Sequence, residues 1–281
     1  MLLYVNDMLS VGKSVSRIDR LKKKLSESFA MKDIGAAKQI HGIRIIHHRQ
    51  AKKLWLLQEH YRFHKENAKV VSTSLTTHFK LSYKHSLSNE AEKTNMSRVL
   101  YASIVGSLMY AMLCTRLDIA HIVDIVESIE ILYLHGTSDL RLCFGGDMPT
   151  LVRYSNSDMA GNIDFRKFTS GYLIKFTGGV VAWQSKLKAC KELLWVKKFL
   201  QELGFVQDKY LLFCDSQSVI HLGKNSTFHS KSKHIDICDA LYAKLLELAK
   251  VHTNDNGANM MTKTLSREKF KTCYEIIGLS P

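Results

Sequence analysis

Amide and acidic side chains stand at three points where the residue pattern predicts that a strand ends or turns. In LLYVNDML, apolar residues flank Asn6 and Asp7, which is typical of a short hairpin with these two side chains at its tip. Asp215 ends the apolar run KYLLFC, and Asn156 and Asp158 share one face of another predicted strand. Carboxylate oxygens are ligands that magnesium prefers, whereas an amide supplies an oxygen without a charge.

The elements that position the first of these points alternate between strand and helix. After the hairpin, the spacing predicts a helix that starts near Ser14 or Ser16 and ends before Gly35. Its apolar face, which we expect to be packed, consists of Val15, Ile18, Leu21, Leu25 and Phe29. AKQIHGIRIIHHRQAKKLWLLQ predicts a second hairpin, and ASIVGSLMYAMLCTRLDIAHIVDIVESI predicts a helical stretch of small residues.

The elements around the other two points lie in the second half of the chain. Three antiparallel strands are predicted, the first ending at Ser157 and the last two joined by a turn at Gly178 and Gly179. A helix over 190–203, a strand ending at Asp215 and a further helix follow. The pattern then predicts a helix to about Lys250, a short strand in VHTND and a last helix from GANMMTK. This element order resembles that of the ribonuclease H-like fold.

Composition and charge favour a globular chain with a nucleic-acid partner. The 281 residues are 46% hydrophobic and 23% charged, which favours two modest domains. The net charge is +14, and residues 1–100 carry 19 Lys and Arg against 8 Asp and Glu. Residues 101–150 are slightly acidic, and 151–281 are again basic. Such a balance suits phosphate binding, although a generally basic surface would give the same count.

Apolar runs and cysteines point to the cytoplasm or nucleus. No run approaches the ~20 apolar residues of a membrane span, and the first residues are a poor signal peptide, so we expect no membrane association and no secretion. The six cysteines lie far apart without a CxxC pair, which favours reduced, mostly buried thiols over disulfides or a zinc site.

Several separated stretches resemble, in order, the end of a copia-type retrotransposon polyprotein. They are LLYVNDML, MKDIGAAKQIHGIRI, VGSLMYAMLCTRLDIAH, GTSDL, SNSDMAG, TSGYL, WQSK, CDSQSVIHL, HSKSKHID and NGANMMTK. The resemblance implies an α/β (α+β) chain in which a partial reverse transcriptase palm and connection precede a ribonuclease H-like domain with a shortened helix. The implied boundaries are 1–99 for the reverse transcriptase remnant, 100–150 for a helical connector and 151–281 for the ribonuclease H-like domain.

The resemblance also implies magnesium sites held by carboxylates. The aspartates of the polymerase Tyr-x-Asp-Asp hairpin correspond to Asn6 and Asp7, so one of the two is an amide. In the nuclease, the first acid corresponds to Asn156, the third to Asp215, and the fourth, in Asn-x-Ala-Asp-x-x-Thr-Lys, to Asn259. The second acid, a glutamate between strand and helix, has no counterpart in SKLKACKELLWVKKF.

Other side chains are candidates to rebuild a metal site. Asp158, Asp255 and Glu192 lie near the lost positions, and a residual magnesium site would centre on Asp215 and Asp158. Histidines offer a different site type, but none has an HExxH or another recognised spacing. The histidines considered are His41, His47, His48, His229, His234 and His252.

Our leading hypothesis is a degenerate copia-type fragment that has lost RNA-directed DNA synthesis and RNA cleavage in RNA:DNA hybrids. The prolines of two family motifs are also replaced, by Leu117 and Ser74, and helix segments are shortened. Losses of this kind predict exposed apolar surface and marginal stability. The alternatives are a residual magnesium nuclease, a noncatalytic binder of an RNA:DNA hybrid or other nucleic acid, and a gene product that scarcely folds.

Overall fold

A computed structural model describes most of the chain outside two long gaps. The described residues are 2–4, 7–12, 14–58, 101–120, 133, 137–146, 149–158, 169–184, 189–207, 210–224, 246–263 and 265–281. Predictions that concern Asn6, Ser74, His229 or His234 therefore lie outside the described residues. No helix within these ranges is both long enough and apolar enough to cross a membrane.

The described elements form a mixed α/β structure, as the sequence predicts. The strands are β1 (Leu2–Tyr4), β2 (Asp7–Leu9), β3 (Gln39–Ile40), β4 (Ile43–His48), β5 (Lys53–Leu57), β6 (Arg141–Gly145), β7 (Leu151–Asp158), β8 (Thr169–Phe176), β9 (Gly179–Gln184), β10 (Tyr210–Cys214), β11 (Leu246–Lys250) and β12 (Leu279–Ser280). The α-helices are α1 (Val15–Ser28), α2 (Tyr101–Cys114), α3 (Ala189–Glu202), α4 (Gln217–Lys224) and α5 (Arg267–Ile277).

The N-terminal hairpin and the helix after it are confirmed. Tyr4 of β1 pairs with Asp7 of β2 in an antiparallel ladder. Helix α1 begins after Ser14, whose hydroxyl accepts a hydrogen bond from the backbone N–H of Arg17 at 3.4 Å, so the predicted cap is present. The helix ends at Ser28, well before Gly35, because the backbone of Phe29 adopts an extended conformation.

The apolar face of α1 is not packed as predicted. Val15 and Phe29 are 69% and 62% exposed, and no residue of the helix is fully buried. Ile18, Leu21 and Leu25 are only half-buried. Within the described residues, no element covers this face, so the helical spacing identified the helix but not its environment.

One antiparallel sheet combines strands from distant parts of the chain, in the order β12-β6-β5-β4-β3. Strands β4 and β5 form the predicted second hairpin, with His48 opposite Lys53. Strand β6 then pairs with β5, and the C-terminal β12 pairs with β6. The sheet thus contains residues from each of the three ranges 1–99, 100–150 and 151–281.

The second sheet has the order β11-β10-β7-β8-β9. Strands β7, β8 and β9 are successive antiparallel neighbours, whereas β10 and β11 are parallel to β7. The predicted strand ends at Ser157 and Asp215 are each correct to within one residue. The turn between β8 and β9 is at Thr177 and Gly178, both with positive φ, one residue earlier than predicted.

The last strand of this sheet is where the sequence prediction was wrong. Residues 246–250 form β11 rather than the end of a helix, and VHTND contains a short 3-10 helix, Thr253–Asp255, rather than a strand. Leu248 is buried beside Leu212 of β10. Because this segment lies against the buried strand β10, the pairing overrides its helical spacing. A second 3-10 helix, Gly257–Met261, precedes α5 where the sequence predicted a regular helix.

A buried ion pair joins the middle of the chain to its last helix. The Arg116 guanidinium lies 2.8 Å from a carboxylate oxygen of Asp118. The hydroxyl of Tyr133 donates to the same carboxylate at 2.6 Å and also contacts the hydroxyl of Tyr274 in α5. Arg116 also donates to the backbone carbonyl of Thr137 at 2.9 Å and to its hydroxyl at 2.6 Å. The ion pair itself is buried, and the groups around it are hydrogen-bonded to one another in a partly buried network.

Candidate functional site

The candidate site lies where the neighbouring strands β7 and β10 end. Cys214 of β10 pairs with Ser155 of β7 in parallel register. The residues that follow them, Asp215 and Asn156, therefore come at the same edge of the sheet. Asp215 stands just beyond the end of its strand and is half-buried. The structure thus brings together two positions that the sequence analysis singled out.

A short irregular segment places a third position against this edge. The two 3-10 helices at Thr253–Asp255 and Gly257–Met261 follow β11, and the second of them packs across β7 and β8. Asn256, which is fully buried, caps the second of them by accepting a hydrogen bond from the N–H of Ala258 at 3.2 Å. Its amide nitrogen donates to the backbone carbonyl of Ser155 at 3.0 Å. These two bonds fix the segment directly beside Asn156.

Asn156 and Asn259 form a buried amide pair. They are 5% and 4% exposed, and Nδ2 of Asn156 donates to Oδ1 of Asn259 at 2.9 Å. The same nitrogen donates to Oγ1 of Thr262 at 2.7 Å. Nδ2 of Asn259 donates to the backbone carbonyl of Thr253, and the Thr262 hydroxyl donates to the carbonyl of Asn259 at 3.2 Å. The pair is thus held on both sides by neutral hydrogen bonds.

This arrangement does not fit a magnesium ion. A bound cation needs the oxygen of each ligand turned toward it and enough negative charge to offset its own. Here the Asn259 oxygen receives an N–H from Asn156, and neither side chain carries a charge. Two carboxylates in the same positions would repel each other unless a cation or proton lay between them. The amides remove that requirement, because one donates where the other accepts.

Glycine 171 allows the segment to approach the sheet. Gly171 of β8 lies directly opposite Asn156 of β7. A Cβ atom at this position would lie 2.4 Å from Cβ of Met261 and 3.1 Å from Cγ2 of Thr262. The first contact is closer than carbon atoms allow and the second is tight, so glycine is what lets the 3-10 helix rest on the strand.

The acids proposed as replacements lie in three different elements. Asp255 is exposed at the end of its 3-10 helix. Asp158 pairs with Thr169 through its backbone at the end of β7, and Glu192 lies in the first turn of α3. Asp7 begins β2, in a two-stranded hairpin separate from both five-stranded sheets. Within the described residues, no group of three or more His, Cys, Asp or Glu is placed to hold a metal ion.

Two side chains next to the site have shifted pKa values. Burial raises the pKa of the Tyr154 hydroxyl, and the carboxylate of Asp255 raises it further. Burial also raises the pKa of the Cys214 thiol, with a smaller contribution from the charge of Asp215. Both groups are therefore neutral at pH 7, and neither adds negative charge beside Asp215.

Sequence reasoning missed the residues that support the pair. Asn256, Thr262 and Gly171 stand in NGANMMTK and TSGYL, stretches that carried the family resemblance but received no role. Their importance is visible only once the segment at 256–262 is seen to lie on β7 and β8. The available signal was that amide and hydroxyl residues recur at short spacing around Asn259.

Comparisons with known proteins find several relatives, among them Pol polyproteins of plant transposons. The chain is 46% identical over 321 residues to a retrovirus-related Pol polyprotein from the Nicotiana tabacum transposon TNT 1-94, covering 99% of this chain and 24% of the relative. A retrovirus-related Pol polyprotein from transposon RE2 of Arabidopsis thaliana is 28% identical, and the match covers 99% of this chain and 22% of that relative. An uncharacterized mitochondrial protein of Arabidopsis thaliana, AtMg00810, is 30% identical over 207 residues. This match covers 66% of this chain and 82% of that relative.

The extent of these matches adds two facts. The chain spans about a quarter of the length of the Pol polyproteins that it matches. The aligned span of 321 residues is longer than the chain of 281, so at least 40 aligned positions of the tobacco relative, the difference, have no counterpart here. No protein-family profile matches the chain, and no solved structure matches it.

Proposed function

Because the chain belongs to the retrovirus-related Pol polyproteins of copia-type transposons, we propose that it is a degenerate reverse transcriptase and ribonuclease H segment without catalytic activity. In this proposal, residues 151–281 are a ribonuclease H-like domain whose metal site has become a hydrogen-bonded amide pair. Residues 1–99 are the remnant of the reverse transcriptase palm, and 100–150 are the connector.

The strand arrangement supports the ribonuclease H-like assignment. Strands β7, β8, β9, β10 and β11 are the five successive strands of the C-terminal part, and they lie in the spatial order 3-2-1-4-5. Only the second of them, β8, runs antiparallel to the others. Helices α3 and α4 precede and follow β10, as the resemblance implies. Three of the four family positions then belong near the ends of β7 and β10 and in the segment before α5, and the fourth, between β9 and α3, has no counterpart in the sequence.

The observation that carries the loss of activity is the 2.9 Å hydrogen bond between Asn156 and Asn259. Metal-dependent hydrolysis of a phosphodiester needs two cations that activate water and stabilise the leaving oxygen. Of the family acids in this domain, only Asp215 is retained, and one carboxylate does not offset two divalent charges. The polymerase hairpin has likewise lost one acid, at Asn6, and retains Asp7.

Missing chain length supports degeneration as well. The sequence runs from WQSK directly into the later part of α3, where the family has the glutamate that supplies the second nuclease acid. The tobacco relative has at least 40 aligned positions, the excess of 321 over 281, that this chain lacks. Loss of that glutamate together with its neighbours leaves no conservative replacement in the first turn of α3 other than Glu192.

The test is cleavage of a labelled RNA:DNA hybrid by the purified chain in magnesium or manganese. We expect no metal-dependent cleavage by the chain or by Asp215→Ala. The matched comparison is the double variant Asn156→Asp/Asn259→Asp, which restores two family acids without changing side-chain size. Cleavage by the original chain that Asp215→Ala abolishes would contradict the proposal and establish a residual magnesium nuclease that uses Asp215, with Asp158 as a candidate partner.

A second candidate function is noncatalytic binding of nucleic acid. The chain has a net charge of +14, and helix α1 alone contains Arg17, Arg20 and the run Lys22–Lys24. Binding through phosphates weakens steeply with salt because each contact releases condensed counterions. Affinity for an RNA:DNA hybrid or a single strand should therefore fall by orders of magnitude between 50 and 200 mM salt, roughly as expected for several phosphate contacts. Binding that is absent or insensitive to salt would contradict this function.

A further inference from the structure

We propose that a basic pocket next to the β4–β5 turn binds a nucleotide of a single-stranded nucleic acid, with its phosphate at the rim and its base on the floor. The pocket has a volume of about 490 Å³ and is lined by His47, Arg49, Lys52, Lys53, Leu54, Phe144, Gly145 and Thr177. Its strands β4, β5 and β6 belong to the other five-stranded sheet, and neither residue of the amide pair lines it. The inference rests on the nucleic-acid binding function and assigns a site to it.

The rim of the pocket is a cluster of cationic side chains. Arg49, Lys52 and Lys53 are exposed, as is His47 on the adjacent strand. Within the part of the chain that the structure describes, none of the three long side chains forms an ion pair with an acid. Their charges are thus available to an anion, and a flexible basic rim is the kind of surface that phosphates of a nucleic-acid backbone contact.

The floor of the pocket is apolar. Leu54 of β5 and Phe144 of β6 are cross-strand neighbours and are both half-buried. An aromatic ring beside a leucine, open on one side and surrounded by cations, fits the flat face of a base better than it fits a free phosphate. Because every base has such a face, a site of this type is tolerant of sequence. Bases are accessible for stacking in single strands, which is why we assign this class rather than a duplex.

Backbone contacts hold the pocket in shape. The N–H of Gly145 donates to the carbonyl of Thr177 at 2.7 Å, which fixes the end of β6 to the β8–β9 turn. Gly145 has φ 108°, and a Cβ there would lie 2.0 Å from the carbonyl oxygen of Lys52. The close approach of these two strands therefore requires glycine and sets the position of Lys52 and Lys53. The backbone that carries the exposed rim side chains is thus held by these contacts.

The test measures fluorescence anisotropy of a labelled 12-residue oligo-dT, titrated with the chain at several salt concentrations. The pocket variant is Arg49→Glu/Lys52→Glu/Lys53→Glu. The control is Arg267→Glu/Lys269→Glu/Lys271→Glu, which changes the net charge equally on the exposed side of α5. Thermal unfolding by circular dichroism establishes that both variants are folded. We expect the pocket variant to bind at least about tenfold more weakly and its salt slope to fall by about 2, whereas the control changes little.

The outcomes separate the two proposals. If the original chain does not bind the oligonucleotide, nucleic-acid binding itself is wrong, and the pocket assignment falls with it. If the chain binds but both triple variants weaken binding equally, only the pocket assignment is overturned. An abasic oligonucleotide of equal length and charge tests the floor. Equal affinity for the abasic and the normal strand would overturn base stacking, and weaker binding of the abasic strand supports it.

Discussion

Asn156 and Asn259 are buried amides where the family resemblance implies carboxylates, and this difference changes what the surrounding residues must supply. Asn156 donates to both Asn259 and Thr262, so its nitrogen has a partner for each hydrogen. A carboxylate in its place has no hydrogen to donate and would face the Asn259 oxygen directly. A buried charge without a partner is among the costlier single changes in a protein. The neutral network thus stabilises the fold in a way that the implied metal site would not without its ions.

We therefore predict that Asn156→Asp destabilises the chain by about 2–4 kcal/mol at pH 7, because it buries a carboxylate against an acceptor. The measurement is the urea midpoint, followed by circular dichroism. The loss should shrink as the pH falls toward 4, where the new carboxyl group protonates and regains a hydrogen to donate.

The control for this prediction uses the divalent ion itself. In Asn156→Asp/Asn259→Asp, two acids face each other beside Asp215, so magnesium should raise the midpoint of the double variant and leave the original chain unchanged. If magnesium stabilises the original chain as strongly as it stabilises the double variant, the amide pair does not prevent magnesium from binding.

Cys273 gives a second prediction at the scale of the residue. Burial raises the pKa of its thiol to about 11 from an ordinary value near 9. Between these two values the unfolded chain loses the proton while the folded chain keeps it, so stability is complete below pH 9 and declines as the pH rises. Burial also raises the pKa values of Tyr133 and Tyr274, which extends the decline to higher pH.

The decline that belongs to Cys273 should reach about 2–3 kcal/mol by pH 11. It is measured as the difference in pH slope between the original chain and Cys273→Ala. The absolute stability of the variant is not the criterion, because removing the sulfur also leaves a small cavity. Identical slopes between pH 9 and 11 would show that the thiol ionises equally in both states.

At the scale of elements, sequence periodicity predicted the two hairpins β1–β2 and β4–β5, the strands β7 to β10 and the helices α1, α3 and α4, but not β6 or β12. It succeeded where alternation or helical spacing was unambiguous, as in β7 and α3. It failed at β11, because LELAK carries both spacings and only pairing with β10 decides between them. It could not foresee that Asn156 and Asn259 touch, since they are 103 residues apart and meet through an irregular segment.

That segment depends on Gly171, which gives a prediction for the element. Gly171→Ala should lower stability by about 1–3 kcal/mol, because the new methyl group would push the Gly257–Met261 helix off β8. The matched control is Gly106→Ala in α2, where a Cβ meets nothing within 4 Å. That change should stabilise the chain by about 0.5–1 kcal/mol, because alanine is the better helix former.

Both glycine variants are compared by thermal unfolding under one set of conditions. Opposite signs are the expected result, since the two substitutions add the same methyl group in different surroundings. A neutral or stabilising effect of Gly171→Ala would mean that the segment lies farther from the sheet than the structure places it, and the 2.9 Å amide contact would then lose its support.

At the scale of the whole molecule, the three implied domains are not independent in structure. The sheet β12-β6-β5-β4-β3 takes strands from all of them, and the buried cluster of Arg116, Asp118 and Tyr133 reaches Tyr274 of the last helix. Exposed apolar side chains lie outside this shared core, for example Trp195 on α3 and Val206 beyond its end, which are 64% and 78% exposed. Among the described residues, the largest core cluster is therefore shared between the implied domains, whereas two smaller clusters lie within residues 151–281.

The cluster around Arg116 gives the prediction for this scale. Although burial lowers the pKa of the guanidinium, the Asp118 carboxylate more than offsets this, so Arg116 stays charged in the interior. Asp118→Asn would leave that charge without its counter-ion, at a cost of about 3–5 kcal/mol. Tyr274→Phe removes only a hydroxyl from the same cluster and should cost about 1 kcal/mol.

How the loss is distributed along the chain decides between a joined molecule and separate domains. Asp118 lies in residues 100–150, the implied connector, and strands β7 to β11 follow it in the sequence. If the domains share one core, Asp118→Asn lowers the hydrogen-exchange protection of β6 and of β8 together, because both strands pack into the cluster that contains Leu117 and Leu173. Loss of protection in β6 alone would mean that residues 151–281 fold independently of residues 100–150. The shared sheet would then bring the two parts into contact without making them unfold together.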